Sequence, residues 1–134
     1  MVDTEVLFGL NPKDKRHHDT LSRLQELLSR HKKIFAPDTA LFEFQTVLRS
    51  IDREPKVIRI IILGLWKALE INAVEEAKTI DSSLLAKQSE IEERYTLSYF
   101  DSLIAASALS IDGEIISNDS AFDRVPGLKR TAIA

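Results

Sequence analysis

The chain contains no cysteine. That excludes a disulfide framework, thiolate catalysis and any cysteine-ligated zinc site. Glycine is scarce at four residues, at positions 9, 64, 113 and 127, and none of them builds a phosphate-binding loop. Histidine is scarce too: His17, His18 and His31 fall on a polar helical stretch without HExxH or other ligand spacing, so they read as solvated side chains. No Ser/His/Asp arrangement stands out. Excess positive charge is lacking, since the net charge of −3 gives no bulk attraction to nucleic acid or anionic lipid. The most apolar run, "VIRIIILGLW", is broken by Arg59 and falls short of the roughly 20 residues that span a bilayer. With no signal peptide at its start, the expectation is a cytoplasmic protein with no membrane contact.

What is present fits one domain over residues 1–134, 44% apolar and 29% charged. "NPKDKRHHDTLSRLQELLSRHKK" predicts a helix capped by Asn11, with Pro12 in its first turn and Leu21, Leu24, Leu27 and Leu28 as its stripe. "KIFAP" predicts a short strand ended by Pro37. "DTALFEFQTVLRSIDRE" predicts a helix begun at Asp38 or Thr39 and closed before Pro55. "PKVIRIIILGLWKALEI" predicts a helix apolar nearly all round, and "TIDSSLLAKQSEIEERY" one capped by Asp81. "YFDSLIAASALS" predicts a small-residue helix. A turn at Asp112-Gly113, a strand "EIIS", a turn "NDSAF" and a strand near "KRTAI" complete the chain. Short apolar strands alternating with helices predict an α/β fold, a sandwich with a central parallel sheet flanked by helices.

Two carboxylates sit oddly in this pattern. Asp101 heads the stripe Ile104, Ala105 and Ala108, and Glu43 lies on the stripe of Ala40, Phe44, Val47, Leu48 and Ile51. Two further acids fall near strand ends: Asp3 after "MV" and Asp119 after "EIIS". Ligand sites in parallel α/β sheets gather at the carboxyl ends of the strands. Acids grouped there repel one another and need a compensating positive charge. No lysine or arginine lies within three residues of Asp101 or Glu43. A hard divalent cation, Mg²⁺ or Mn²⁺, takes carboxylate oxygens and suits metal-assisted phosphodiester hydrolysis. Each acid has a plainer reading when taken singly: Asp3 and Asp101 as helix-cap or first-turn acids, Asp119 as a turn residue, Glu43 as a stripe-edge side chain reaching solvent. The set carries the argument.

The set resembles a PIN domain, the nuclease fold of VapC-type toxins. "VDTEVLF" stands where that family has an apolar strand, Asp, Thr or Ser, Asn and a hydrophobic residue. "LFEFQTVL" supplies the helical glutamate, Glu43. "FDSLIAASAL" supplies an Asp leading a small-residue helix, Asp101. "IISNDSAFDRVPGL" supplies Ser117, Asp119 and Phe122 after a strand. The resemblance implies a metal-dependent endoribonuclease whose Mg²⁺ or Mn²⁺ is held by Asp3, Glu43, Asp101 and Asp119. It implies supporting roles for Thr4 and Ser117, and for Asp123 at a distance. Arg124, Lys129 and Arg130, just beyond the last acid, are candidates to contact RNA, ahead of the basic cluster Lys13, Lys15, Arg16 and His17. An antitoxin protein and a homodimer are the implied partners, with the apolar stretch Val57 to Leu69 as either core or dimer surface.

Two features depart from the family pattern. Glu5 replaces the usual Asn and adds negative charge to the pocket. Met1 and Val2 form a first strand of two residues, too short to be expected to pair well in mid-sheet. Both give weight to the alternative of a catalytically inactive PIN domain acting as an RNA-processing or assembly module. A phosphoacceptor signalling domain also uses acids at strand ends, but it needs an adjacent acidic pair after the first strand and a lysine after the last; Asp3 and Glu5 are not adjacent, and "ISNDSAF" offers no lysine.

Overall fold

The computed structural model describes residues 1–51 and 54–134. Asp3 caps a short helix, α1 (Thr4–Gly9), and α2 follows over His17–Ser29. Strand β1 (Ile34–Pro37) runs directly into α3 (Asp38–Ile51). Next come α4 (Pro55–Ile71), β2 (Val74–Ala77) and α5 (Ser82–Tyr95). Helix α6 (Tyr99–Ile111) leads to β3 (Glu114–Ile116), a 3-10 turn (Ser120–Arg124) and β4 (Lys129–Thr131). The expected closure of α3 at the residue before Pro55 falls partly on Asp52 and Arg53, outside the described residues.

Strands β1 and β2 pair in parallel, as do β3 and β4. The first residues of the chain join these two pairs. Val2 N donates to Phe35 O at 2.8 Å on one side. On the other, Asp3 N donates to Ile116 O at 3.1 Å and Ile116 N donates to Met1 O at 2.8 Å. The expectation that so short a strand pairs poorly is therefore corrected. It pairs nonetheless because Met1 and Val2 are buried and bonded on both sides. The resulting order is β2, β1, Met1–Asp3, β3, β4. The chain starts at the centre, builds outward on one side, then returns to the other. The place where that direction reverses, between Asp3 and the end of β3, is the switch point at which parallel sheets bind ligands.

The helices form for legible reasons. Asp81 caps α5 by accepting from Leu84 N at 2.8 Å, and Pro55 sits in the first turn of α4. Ser98, not Asp101, caps α6, its Oγ accepting from Asp101 N at 3.2 Å. Gly113, in the turn after α6, has φ +71°, which favours glycine. Helix α2 begins at His17 rather than at Asn11. Asn11 Oδ1 accepts from Lys13 N and Asp14 Oδ1 from Arg16 N, at 3.0 and 2.8 Å, and these local turns hold the backbone out of the helix. Strand β2 has no counterpart in the sequence expectation. Its "VEEA" carries two exposed glutamates on an edge, which hides the alternating pattern of a strand.

Helix α6 is buried from Ser102 to Ala108 and packs against α5, α3 and the strands β1 and β3. Thr39 and Ser107 bond through their hydroxyls at 2.7 Å, and Ser107 also contacts Thr79 Oγ1 at 2.8 Å. Asp38, at the end of β1, accepts from Thr39 N, Thr79 N, Thr79 Oγ1 and Ile80 N. One carboxylate thereby ties the loop after β2 to the start of α3. Helix α1 crosses α2 closely enough that a Cβ on Gly9 would lie 2.2 Å from Thr20 Oγ1. On α3 the stripe stops at Leu48, because Ile51 is 78% exposed at the helix end. On α4 one face, with Ile58, Leu65 and Leu69, is buried, while Ile60, Leu63 and Trp66 face outward. Among the described residues, no helix is long and apolar enough to cross a membrane.

Candidate active site

Asp3 ends the central strand and caps α1, so backbone geometry fixes its carboxylate at the carboxyl edge of the sheet. Its Oδ1 accepts from Thr4 N and its Oδ2 from Ser117 Oγ, both at 2.7 Å. Thr4, the next residue, turns its hydroxyl to Glu43 Oε1 on α3. Ser117, just past β3, is fully buried, and its Oγ also accepts from Asp119 N at 3.0 Å. Asp119 caps the 3-10 turn through Ala121 N at 2.9 Å, and the buried Phe122 anchors that turn. Asp101 stands in the first turn of α6, half-buried, within electrostatic reach of Asp3, Glu43 and Asp119. Four separate chain regions thus bring Asp3, Glu43, Asp101 and Asp119 to one edge of the sheet.

A fifth acid belongs to the group. Glu5 Oε1 accepts from Ser117 Oγ at 2.9 Å and from Asn118 N at 2.5 Å, bridging α1 to the loop after β3. Ser117 has one hydroxyl hydrogen and two carboxylate neighbours, Asp3 and Glu5. With both acids ionised, that hydrogen serves only one of them, although each keeps a backbone donor, Thr4 N for Asp3 and Asn118 N for Glu5. A proton on Asp3 resolves the shortage, because Asp3 then donates to Ser117 while Ser117 donates to Glu5. The electrostatics agree. Burial pushes the Asp3 carboxyl up to about 7, with the Glu5 and Asp101 charges adding to the rise against its two hydrogen bonds. Burial also raises Glu43, helped by the Asp101 charge, and raises Asp101, helped by the Asp119 and Glu5 charges.

Burial and like charge together mark a site that favours a positive guest. Among the described residues, no three acids or histidines converge into a ready-made metal cage. Mg²⁺ does not require one, since it keeps several waters and uses one or two carboxylates plus a substrate phosphate. The all-oxygen donor set and the raised carboxyls therefore fit a hard divalent cation held loosely by protein groups. Asp3, with both oxygens engaged by Thr4 and Ser117, is held in one orientation at the sheet edge.

The outlying candidates part company. Asp123 is exposed and bound by both arms of Arg130, Nε to Oδ1 at 2.9 Å and Nη2 to Oδ2 at 3.0 Å. That ion pair holds its carboxyl below the usual range. Arg130 also reaches Ser117 O at 3.2 Å, so it borders the pocket. Arg124 donates to Thr96 O at 3.0 Å, at the end of α5. Lys129 lies at the opposite edge of the sheet, where it pairs in register with Glu114 at the start of β3. In the sequence Glu5 stands out as a departure from the family pattern, not as a site residue. Its signal was its place two residues after Asp3, in the first turn of the helix that Asp3 caps.

The PIN domain profile matches residues 1–128. Comparison with curated proteins yields no match. Among solved structures the chain is similar to VapBC2 from Rickettsia felis bound to a DNA fragment from their promoter. The likeness has a TM-score of 0.68 at 17% identity, covering 98% of this chain and 96% of the other. At that identity the likeness speaks for the fold, and it agrees with a profile match over nearly the whole length. The chain belongs to the PIN domain family.

Proposed function

We propose that the protein is a Mg²⁺- or Mn²⁺-dependent endoribonuclease and the toxin of a toxin–antitoxin pair. The observation that carries this reading is the meeting of Asp3, Glu43, Asp101 and Asp119 at the switch point of a PIN-domain sheet. A divalent ion at this edge would supply an activated water and charge stabilisation for phosphodiester hydrolysis. Asp3, Glu43, Asp101 and Asp119 would hold it loosely, with most of its waters kept. Thr4 orients Glu43, and Ser117 orients Asp3 and the turn that carries Asp119. Half-burial of Asp101 and Glu43 keeps the pocket partly dry, which strengthens each charge interaction within it. Arg130 faces the rim as a candidate RNA contact, and the cytoplasm is where such a substrate is met.

Two surfaces support the partners. A groove of about 380 Å³ between α1, α3 and α4, lined by Leu7, Phe8, Phe44, Leu48, Ile61 and Leu65, suits an amphipathic antitoxin segment. The VapBC neighbour supports such a partner. The outward face of α4, with Ile60, Leu63 and Trp66 each more than half exposed, suits a second copy of the chain. Light scattering should find a dimer that Trp66→Glu splits into monomers; a wild type that stays monomeric at all concentrations would refute that surface.

The deciding experiment is cleavage of a mixed pool of structured and single-stranded RNAs with Mn²⁺, Mg²⁺ or EDTA, beside Asp101→Asn. Metal-dependent cleavage, lost at least about 100-fold in the variant, is the expected result. A folded, metal-supplied protein that leaves every RNA intact would favour the inactive assembly module, the reading to which the extra charge of Glu5 gives weight.

A further inference from the structure

An RNA phosphate entering this pocket meets five carboxylates: Asp3, Glu5, Glu43, Asp101 and Asp119. A divalent ion offsets part of that charge, and a fixed cation at the rim would steer and hold the strand. Among the described residues, Arg16 is the only basic side chain within ion-pair reach of these carboxylates, its Nη1 lying 3.7 Å from Glu5 Oε2. That separation is too long for a hydrogen bond, so Nη1 is attracted to the site without being bound there.

The rest of the guanidinium is locked. Nε and Nη2 donate to the two oxygens of Asp14, each at 2.9 Å, and Arg16 N donates to Asp14 Oδ1 at 2.8 Å. The pairing with Arg16 holds the Asp14 carboxyl down near 2, so the fork persists at any physiological pH. An arginine pinned on two nitrogens loses little further freedom when the third takes a ligand. The side chain is 31% exposed and therefore reachable. Glu5, for its part, does not depend on Arg16, because its other oxygen already has Ser117 and Asn118 as donors. Arg130 differs: all three of its nitrogens are engaged, by Asp123 and Ser117 O. Lys13 and Lys15, exposed on the same turn-locked segment, extend the basic rim beside Arg16.

We propose that Arg16 is a substrate-positioning residue, which takes a phosphate of the RNA strand at the pocket rim in competition with Glu5. The inference rests on the ribonuclease reading and adds to it an arginine outside the acidic set.

The test reads binding apart from turnover. Single-stranded RNA is titrated by fluorescence anisotropy in Ca²⁺ buffer over a series of salt concentrations, with intact RNA confirmed on a gel. Arg16→Gln should bind several-fold more weakly at low salt, with a log–log salt slope shallower by about 0.7, the value of one single-strand phosphate contact. Arg16→Lys, which keeps the charge, should retain most of the slope. Glu5→Gln, which removes the competitor, should bind more tightly than wild type. A purely structural Arg16–Glu5 pair would instead make Glu5→Gln and Arg16→Gln fall together, and that pattern overturns the proposal. So does an Arg16→Gln protein, folded by circular dichroism, whose affinity and slope match wild type while wild type cleaves RNA. A wild type that neither binds nor cleaves RNA overturns the ribonuclease reading as well.

Discussion

Asp3→Asn offers a sharp test of the site electrostatics, because it reads stability rather than activity. In the fold the Asp3 carboxyl is raised from 3.8 to about 7, first by burial and then by the neighbouring Glu5 and Asp101 charges. A raised acid holds its proton more tightly folded than unfolded. Stability from this group is therefore full below about pH 4, falls as pH rises through 7, and levels off above. Roughly three pK units correspond to about 4 kcal/mol as an upper bound. Asparagine removes the charge yet keeps the bonds: its Oδ1 accepts from Thr4 N, and its amide can donate to Ser117 Oγ, freeing that hydroxyl for Glu5. Urea unfolding in EDTA should show the variant gaining on wild type by about 2 to 3 kcal/mol between pH 4.5 and pH 8. The opposite contribution of Asp14, lowered to about 2 by its pairing with Arg16, acts only below pH 4 and leaves this window clear. Parallel pH profiles for the two proteins would refute the account. Mg²⁺ should then raise the stability of wild type more than that of the variant, since only wild type keeps the full carboxylate set.

Other outcomes follow from the packing. Asp38→Ala strands four donors around the loop after β2 and should cost about 2 to 4 kcal/mol by denaturant unfolding, with Asp38→Asn losing less. Gly9→Ala drives a methyl into Thr20 and should lower stability by about 1 to 3 kcal/mol. Gly64→Ala meets open space in mid-helix and should raise stability by about 1 kcal/mol, so thermal melts of the two variants should shift in opposite directions.

Where local chemistry governed, the sequence was readable. The cap at Asp81, the turn at Gly113 and the small-residue body of α6 depend on residues close in the chain. So did the unease of Asp101 and Glu43: a carboxylate on an apolar stripe is visible from helical periodicity, and both are half-buried in the fold. The start of α2 was misread because Asn11 and Asp14 compete for the backbone through their own side chains. Strand β2 was missed because its glutamates face solvent at an edge, where no alternation is imposed.

The sequence by itself determined the fold class and marked Asp3, Glu43, Asp101 and Asp119 as candidates, since periodicity, strand ends and residue type are local properties. Tertiary structure alone decided the rest. Val2 becomes a central strand only because β1 and β3 arrive from far along the chain to bond it. Glu5 enters the site through Ser117, 112 residues away, and Arg16 faces it because α1 folds back beside the turn that precedes α2. Charges distant in sequence act on one another through space, and no spacing rule within the chain encodes that distance.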